Sequence, residues 1–391
     1  MKRIAFILQA NQNDWLGGLS YLRNLLRAIL SNPERHVEPV LVAHSVLAST
    51  FLSGFPPVEV IRTPMASRRH PARLLGEASC RLIDRDVTME WLLRKHRIDA
   101  LSHSLTVGAR SAVASIGWIP DFQHVRMPQF FSRSERVARD RHYLRLAEGS
   151  RCIILSSNDV RSDFVSFAPH AADKACVLHF VSYFESTGAT MSCEQLRSRF
   201  GIDRPFFHLP NQFWAHKNHA VVVEALGILK KRGIDALVLA TGRPADYRNP
   251  EHFGRLMARV KVLGVEDNFR VLGVVTLPEL QSLMLNAIAL INPSYFEGWS
   301  TTVEESKSLG LPIILSDISV HVEQAPPLGH YFKADSPEEL AEAILATLRT
   351  HDPAEAAKAR QQAALELPER VRRFGKAYDE IANKAIDHEP V

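Results

Sequence analysis

Two glutamates, Glu297 and Glu305, are separated by seven residues and follow a run of apolar residues that predicts a buried strand. The first lies beside Gly298 in a segment whose proline and glycine indicate a turn. The second lies in a stretch that predicts a helix ending at Gly310. Two carboxylates this close in sequence could act as acid and base on one glycosidic bond.

A helix cap is the structural alternative for the second glutamate. Thr302 with Glu305 has the spacing of a capping box, and Thr301 with Glu304 is an equally good frame. Such a cap would account for one glutamate but not for Glu297, which precedes the predicted helix.

Three further segments could bind an anion, because each follows a predicted strand and precedes a helix or turn. Paired Gly17 and Gly18 would let the backbone approach a ligand closely. The ammonium of Lys217 could reach a phosphate at the next helix end, and Gly242 with Arg243 ends a strand in a similar way. A flexible turn or a solvated side chain is the alternative at each position. The dinucleotide fingerprint and the P-loop are both absent from the sequence, which disfavours a simple NAD enzyme or ATPase.

The elements that must position these residues alternate along the whole chain. Apolar, often β-branched runs predict strands in the first half at 4–8, 40–43, 58–61, 100–102, 116–119, 153–155 and 176–180. In the second half they predict strands at 206–209, 237–240, 269–272, 287–291 and 313–315. Helical periodicity predicts helices at 20–30, 133–147, 220–231, 278–286, 302–309 and 337–348. Because parallel strands need helical crossovers, the pattern predicts an α/β fold with two doubly wound parallel sheets.

The length of 391 residues favours two domains. We expect a first domain at 1–182, a polar connection, a second domain at 205–367 and a closing helix at 368–391 that could pack across both. Ligands of such sheets bind at the carboxyl ends of the strands, so a site in a cleft between the two domains is expected.

The composition is that of a globular protein, with 46% hydrophobic and 23% charged residues. The apolar runs are too short for a membrane span. The first residues have the positive end of a signal peptide, but their apolar run is only five residues long and no small-residue cleavage site follows it, so a cytoplasmic location is expected. Four cysteines without a Cys-x-x-Cys pair argue against structural zinc. The net charge of +4 is uneven, with 24 Lys/Arg against 16 Asp/Glu in residues 1–180 and 23 against 27 in the remainder.

The segment from Asn292 to Pro312 resembles the E-x7-E signature of family 4 retaining glycosyltransferases, which have the GT-B architecture of two Rossmann-like domains. Its order is strand, Pro-Ser, Glu-Gly, helix, a second glutamate after seven residues, and then Leu-Gly-x-Pro. The paired-glycine loop, Lys217 before a helix, Gly273 after a strand and the closing helix follow the family order, so the resemblance covers most of the chain.

The resemblance implies a role for each matching residue. Glu297 is expected to contact hydroxyls of the donor sugar at the reacting end, and Glu305 to hold the ribose of the nucleotide. The amides after the first glutamate are expected to bind sugar and phosphate, and they belong to Gly298, Trp299, Ser300, Thr301 and Thr302. The paired glycines and a pair of cations are expected to bind the diphosphate.

The chain departs from the family pattern at two positions. The family commonly has arginine five residues before the lysine, where this chain has Gln212, so another cation such as Arg243 is expected to replace it. The family's catalytic histidine often precedes an aspartate after a first-domain strand. Here Pro120 stands in its place before Asp121, which leaves His124 as a displaced catalytic candidate together with Asp121. The alternative is a loop histidine hydrogen-bonded to backbone.

The function implied is retaining transfer of a sugar from a nucleoside-diphosphate sugar, with UDP or GDP expected, and without a metal or other cofactor. The acceptor is expected to be a glycan or a lipid-linked molecule of bacterial-type surface polysaccharide or glycoconjugate synthesis. The one Asp-x-Asp, at residues 84–86, falls in a predicted first-half helix and is interpreted as a solvated face. The alternatives are a two-carboxylate glycoside hydrolase, a non-enzymatic two-lobed sugar- or nucleotide-binding protein and, more weakly, a sugar-nucleotide epimerase.

Arginines are frequent in the half expected to bind the acceptor. They lie within the predicted helix at 133–145, with others at Arg68, Arg69 and Arg73. Such arginines usually form a solvated face, and the alternative is a patch attracted to anionic lipid or to a lipid-diphosphate acceptor. A peripheral position at the inner face of the cell membrane is therefore a second expectation. Nucleic acid is disfavoured as a partner, because no aromatic interleaving or binding motif accompanies the arginines.

Overall fold

The apolar runs form the strands of two parallel sheets in a computed structural model of the chain. The structure describes residues 1–8, 16–67, 70–184 and 190–387. The predicted loop residues 9–15 and the arginines Arg68 and Arg69 lie outside the described residues. The chain divides into two units, Met1–Val181 with Pro368–Val391, and Ser182–Leu367.

The first unit contains a seven-stranded sheet in the order β3-β2-β1-β4-β5-β6-β7, with every pair parallel. Its strands are β1 (Lys2–Leu8), β2 (Val37–Ala43), β3 (Glu59–Arg62), β4 (Ala100–Ser102), β5 (Ala114–Ile119), β6 (Cys152–Leu155) and β7 (Ala175–Val177). Its helices before the second unit are α1 (Leu16–Ser31), α2 (Ser49–Leu52), α3 (Pro71–Ile83), α4 (Val87–Lys95), α5 (Gln123–Arg126), α6 (Arg133–Gly149) and α7 (Asn158–Phe167). Residues of the central strands, such as Ile4 and Ile153, are fully buried, as expected for a sheet covered on both faces.

The second unit contains a six-stranded parallel sheet in the order β10-β9-β8-β11-β12-β13. Its strands are β8 (Phe207–Leu209), β9 (Val238–Thr241), β10 (Phe269–Gly273), β11 (Leu290–Asn292), β12 (Ile313–Ser316) and β13 (Gly329–Phe332). Its helices are α8 (Cys193–Phe200), α9 (His219–Lys231), α10 (His252–Leu263), α11 (Leu277–Asn286), α12 (Thr301–Leu309), α13 (Ser319–Gln324) and α14 (Pro337–Thr350). The predicted α/β class with two doubly wound parallel sheets is confirmed.

The last helix, α15 (Pro353–Asp387), begins 15 residues earlier than predicted and has Pro368 in its interior. Its second part belongs to the first unit, where a Cβ on Gly375 would lie 1.9 Å from the carbonyl oxygen of Ala28 on α1. The hydroxyl of buried Tyr378 donates to Ser102 at the end of β4, at 2.9 Å. Only glycine permits this close approach, which lets α15 pack directly against α1 of the first unit.

Two predicted segments of the first unit have a different structure. Helix α1 begins at Leu16, so Gly17 and Gly18 lie in its first turn rather than in the loop before it. The Asp-x-Asp segment does not lie within a helix, because Asp84 ends α3 in a left-handed conformation and Asp86 caps α4. Asp86 is also buried, so the interpretation as a solvated face is wrong.

No helix among the described residues is long and apolar enough to cross a membrane.

Candidate functional site

The two loops that flank the switch point of the second sheet are joined to each other. They follow β8 and β11, the adjacent strands at which the strand order reverses, where open α/β sheets bind ligands. The amide of Tyr295 donates to the carbonyl oxygen of His216 at 2.8 Å. Buried Asn211 donates to the side-chain oxygen of Asn292 at 3.2 Å. The backbone between the loops is therefore fixed before any ligand binds.

Asn218 positions the lysine of the first loop. It follows a short 3-10 turn, Ala215–Lys217, and has a left-handed backbone with φ of 55°. Its buried side-chain amide donates to the carbonyl oxygens of Pro293 at 3.1 Å and Ala334 at 2.7 Å. Asparagine tolerates this conformation better than most residues do, so Asn218 ends the turn and ties Lys217 to the second loop.

Lys217 and Glu297 form an ion pair, with 2.6 Å between Nζ and Oε1. Their side chains are only 15% and 10% exposed, and the Ser294 hydroxyl donates to the same carboxylate oxygen at 2.7 Å. Burial raises the pKa of Glu297. Electrostatic interaction with Lys217 and His321, together with the hydrogen bonds from Lys217 and Ser294, lowers the pKa by more than burial raises it, so it lies below its usual value. Glu297 is therefore a carboxylate at neutral pH.

Helix α12 begins after Ser300, which is its N-cap, so both predicted capping boxes are wrong. The amide of Ser300 donates to the side-chain oxygen of Gln324 at 3.0 Å, and its hydroxyl accepts from Asn292 at 2.7 Å and from the amide of Val303 at 3.4 Å. Ser300 was predicted to bind the donor through its amide, but that amide is already bonded. Since the first amides of a helix have no partner within it, Thr301 and Thr302 remain the better placed donors.

Glu305 lies beyond the first turn of α12 and is partly buried. Its carboxyl oxygen accepts one hydrogen bond from the Ser182 hydroxyl, at 3.4 Å. Burial raises the pKa of Glu305 to about 8, and the bond from Ser182 lowers it only in part. No hydrogen bond among the described residues joins Glu305 to Glu297, so the two glutamates have opposite electrostatic environments.

Gly242, Gln212 and Arg243 lie together at the end of β9. Gly242 has φ of 140°, and a Cβ there would lie 2.5 Å from the carbonyl oxygen of Asn211. The Gln212 side chain accepts from the amide of Arg243 at 2.8 Å, so it fixes the backbone of the loop. Being uncharged, it does not supply the cation that the family has at this position. The Arg243 side chain is exposed, and the contacts found among the described residues include no ion pair for it.

Polar residues that no sequence pattern predicted support these loops. Asp246 is buried and accepts from the amide of Ala215 at 3.0 Å, and its partner Arg248 lies with its guanidinium carbon 5.3 Å from the ring centroid of Trp214. His321 is fully buried, with Nδ1 2.9 Å from the carbonyl oxygen of Ser316. Burial lowers its pKa, although Glu297 acts in the opposite direction. In the sequence, the only signal for these supporting residues is that they are polar and lie close to predicted apolar strands.

The predicted catalytic histidine of the first unit is not accessible. The His124 side chain is 1% exposed, its Nε2 lies 3.0 Å from Asp140 Oδ1, and its ring packs edge-on to Tyr143. Burial lowers its pKa despite the hydrogen bond to Asp140. Its partners are side chains of α6. It is therefore not the backbone-bonded loop residue of the alternative, and its burial does not favour the predicted catalytic role, which stays a prediction. Asp121 follows β5 and is partly exposed, with Oδ1 accepting from the amide of Gln123 at 2.9 Å.

The arginines of α6 do not share one face. Arg133, Arg141 and Arg145 are exposed, whereas Arg136 and Arg139 are partly buried. The guanidinium carbon of Arg139 lies 4.8 Å from the ring centroid of Phe131.

Within the described ranges, no group of three or more His, Cys, Asp or Glu side chains is arranged to hold a metal ion.

Comparison with known proteins gives a family and a fold. The family model described as glycosyl transferases group 1 matches residues 194–366, and no curated protein matches the sequence significantly. The solved structure of Anabaena HepE with UDP and glucose is similar over 98% of this chain and 100% of its own, with a TM-score of 0.68 and 18% identity. A glycosyltransferase from Rickettsia africae is similar over 98% of both chains, with a TM-score of 0.64 and 15% identity. WaaG, a glycosyltransferase involved in lipopolysaccharide biosynthesis, is similar over 99% of both chains, with a TM-score of 0.55 and 16% identity.

The matched residues contain the whole arrangement of Lys217, Glu297, Ser300 and Glu305, and the similar structures share the fold of both units. The chain is therefore a glycosyltransferase with the GT-B fold, and its residues 194–366 belong to the family of glycosyl transferases group 1.

Proposed function

We propose that the chain is a family 4 enzyme that transfers a sugar from a nucleoside-diphosphate sugar with retention of configuration and without a metal ion. The observation that carries the proposal is the ion pair of Lys217 and Glu297 beside the first amides of α12. UDP is the favoured nucleotide, with GDP as the alternative, because structures of the similar Anabaena protein contain UDP and UDP-glucose.

The cation and the helix end supply the charge stabilisation that the reaction needs. Departure of the nucleoside diphosphate develops negative charge, and preorganised donors in a water-poor site stabilise it most effectively. Lys217 carries a positive charge, and the amides of Thr301 and Thr302 begin a helix whose dipole also favours an anion. Arg243, which is exposed at the end of β9, is the proposed second cation for the diphosphate.

The ionised state of Glu297 fits contacts to sugar hydroxyls. A carboxylate only accepts hydrogen bonds, and each hydroxyl of a sugar can donate one. Because its pKa is lowered, Glu297 cannot serve as the general acid near neutral pH. Glu305, with the raised pKa, is proposed to hold the ribose. A raised and a lowered pKa also suit a two-carboxylate hydrolase, so an assay must measure transfer to the acceptor separately from sugar release to water.

The acceptor is proposed to be a glycan or a lipid-linked molecule of surface polysaccharide synthesis, used in the cytoplasm at the inner face of the membrane. The similar protein WaaG takes part in lipopolysaccharide biosynthesis, which supports this class of acceptor. The exposed arginines of α6, Arg133, Arg141 and Arg145, support attraction to an anionic lipid or a lipid diphosphate.

Calorimetry with UDP, GDP, dTDP and ADP, each with and without a chelator, tests the proposal. We expect UDP to bind most tightly and the chelator to leave its affinity unchanged. A transfer assay with the matching sugar nucleotide, followed by analysis of the anomeric configuration of the product, tests retention. An absolute requirement for Mg²⁺ or Mn²⁺, or an inverted product, would contradict the mechanism.

A further inference from the structure

Helix α13 carries two buried polar side chains on one side. His321 and Gln324 are three positions apart in the helix, so their side chains are neighbours. His321 is 0% exposed and Gln324 is 2% exposed. Buried polar side chains need hydrogen-bond partners, so the partners of these two indicate what the helix supports.

Gln324 holds the backbone at which α12 begins. Its side-chain oxygen accepts from the amide of Ser300 at 3.0 Å, and its NH2 group donates to the carbonyl oxygen of the same residue at 3.0 Å. The NH2 group also donates to the Glu304 carboxylate of α12 at 3.1 Å. Both backbone groups of the N-cap are therefore fixed, which sets the position of the helix amides that follow, those of Thr301 and Thr302.

The surroundings of His321 determine which ring nitrogen carries the proton. Nδ1 lies 2.9 Å from the carbonyl oxygen of Ser316, which can only accept, so Nδ1 is the donor. Burial lowers the pKa of His321 by more than Glu297 and the bond to Ser316 raise it, so the ring is neutral at neutral pH. In a neutral ring the other nitrogen, Nε2, has no proton and can only accept.

Asn292 is the partner of the accepting nitrogen. Its NH2 group lies 3.4 Å from His321 Nε2 and 2.7 Å from the hydroxyl oxygen of Ser300. Because Nε2 can only accept, Asn292 must turn its NH2 group to that side and its oxygen to the other side. The oxygen accepts there from Asn211 at 3.2 Å and from the Ser294 hydroxyl at 2.9 Å. The neutral ring of His321 therefore decides the orientation of the Asn292 amide.

Asn292 connects this orientation to the candidate site. Ser294, on its oxygen side, has its hydroxyl 2.7 Å from the Glu297 carboxylate. Ser300, on its NH2 side, is the N-cap of α12. A reversed amide would place its NH2 group against Ser294 and its oxygen against the hydroxyl of Ser300. The hydrogen bonds that position Glu297 and the first amides of α12 would then both change.

We propose that His321 is a positioning residue of the transferase, whose unprotonated Nε2 orients Asn292 and so holds Ser294 beside Glu297 and the N-cap at the start of α12. His321 is fully buried and acts through these residues rather than on the donor. The inference rests on the proposed function, in which Glu297 contacts the donor sugar and the amides of α12 bind the donor. Displacement of a reacting group by about 1 Å can lower turnover by about 10², so a residue outside the contact surface can still control the rate.

Two substitutions that each keep one half of the ring's hydrogen bonding test the proposal. His321→Gln has an oxygen that can take the place of Nε2 and accept from Asn292. His321→Asn has an NH2 group that can take the place of Nδ1 and donate to Ser316, but it offers Asn292 no acceptor. Turnover is measured with the UDP- or GDP-sugar that the unmodified chain uses. We expect His321→Gln to keep turnover within about threefold and His321→Asn to lower it by about tenfold or more.

Affinity for UDP, measured by calorimetry, separates positioning from general damage. It should change by less than about threefold in both variants, because a contact to the transition state affects turnover rather than nucleotide binding. Lys217 should also stay in place, since Asn218 rather than Asn292 positions it. Equal turnover in His321→Gln and His321→Asn, whether kept or lost, would overturn the proposal. So would a loss of UDP affinity in His321→Asn as large as its loss of turnover.

Nitrogen NMR tests the protonation of the ring independently of any variant's activity. The full chain is labelled with nitrogen-15 histidine, and the signals of His321 are those that are missing from His321→Gln or His321→Asn. We expect a neutral ring with its proton on Nδ1 at neutral pH, whereas a proton on Nε2 would overturn the proposal. An unmodified chain that transfers no sugar would contradict the proposed function. Full transfer by both the unmodified chain and His321→Asn would contradict only the positioning role.

Discussion

The ammonium of Lys217 lies 2.6 Å from a carboxylate oxygen of Glu297, although the two residues are 80 positions apart in the chain. The pair joins the loop after β8 to the loop after β11, which are the two loops at the switch point of the second sheet. In the proposed function, an anionic donor that approaches Lys217 must share the lysine with Glu297. The carboxylate therefore holds the lysine in place and also limits its attraction for the diphosphate.

Lys217→Ala should weaken UDP binding by about tenfold or more, because it removes a charged hydrogen-bond donor and leaves a nearly buried carboxylate beside the nucleotide. Titration calorimetry measures the affinity. Lys2→Ala is a suitable control, since it also breaks a lysine–carboxylate pair, that of Lys2 with Asp387 in the first unit. An equal loss of affinity in both variants would show a general effect of charge or stability.

Glu297→Gln should leave UDP binding at least as tight as before, since Lys217 loses its competing negative charge. Turnover should fall by about 10² or more, the scale for one electrostatic contact made in the transition state. Glu342→Gln, on the exposed side of α14, should change neither quantity. Full turnover in Glu297→Gln would remove the proposed contact to the donor sugar.

Glu305→Ala should weaken binding of UDP itself, because a ribose contact is made in the ground state as well as in the transition state. Ser300 rather than Glu305 caps α12, so the substitution should cost little stability through the helix end. Nucleotide affinity and melting temperature are measured together. A lower melting temperature with unchanged affinity would assign Glu305 a structural role.

The stability of the unliganded protein should depend on pH through Glu305. Its pKa is about 8 in the folded chain and about 4.3 in an unfolded one, so between these values the folded chain holds a proton that the unfolded chain has lost. Stability should then fall as pH rises through this window and level off above pH 8. Glu305→Gln removes this titration. The melting temperature of the variant minus that of the unmodified chain should therefore increase from pH 5 to pH 8. Parallel pH profiles would contradict the raised pKa.

His124→Phe should keep turnover close to that of the unmodified enzyme. The new ring can occupy the same aromatic surroundings against Tyr143, and only the bond to Asp140 is lost. Loss of a general acid or base would instead lower turnover by about 10² or more. A fall of that size with unchanged melting temperature would restore His124 as a catalytic residue.

The sequence pattern predicted the buried strands well, because a strand that is covered on both faces of a parallel sheet is a continuous apolar, β-branched run. It missed β13, whose His330 and Tyr331 are exposed at the edge of the sheet. It also missed α8, which lies in the polar stretch expected to connect the domains and has a capping box of Ser192 and Gln195.

Spacing in the sequence identified Glu297 and Glu305 but not their environments. Ser300 is the N-cap because Asn292 and Gln324 hold it, and Gln324 follows it by 24 positions. The pairing of Lys217 with Glu297 depends on the left-handed backbone of Asn218 and its bond to Pro293. Contacts between distant segments decide both features, and no local pattern records them.

The second part of helix α15 belongs to the first unit but is translated after the whole second unit. Asp379 accepts from the amides of His36 and Val37 at the start of β2, and Tyr378 is fully buried in the same unit. These residues leave the ribosome only after all of Ser182–Leu367 has been made. At a translation rate of about 5 to 20 residues per second, roughly 10 to 40 s pass between synthesis of the first sheet and synthesis of the helix that packs on it. The second unit is continuous in the chain and can complete its core during that interval, so the half that is proposed to bind the donor is expected to fold first.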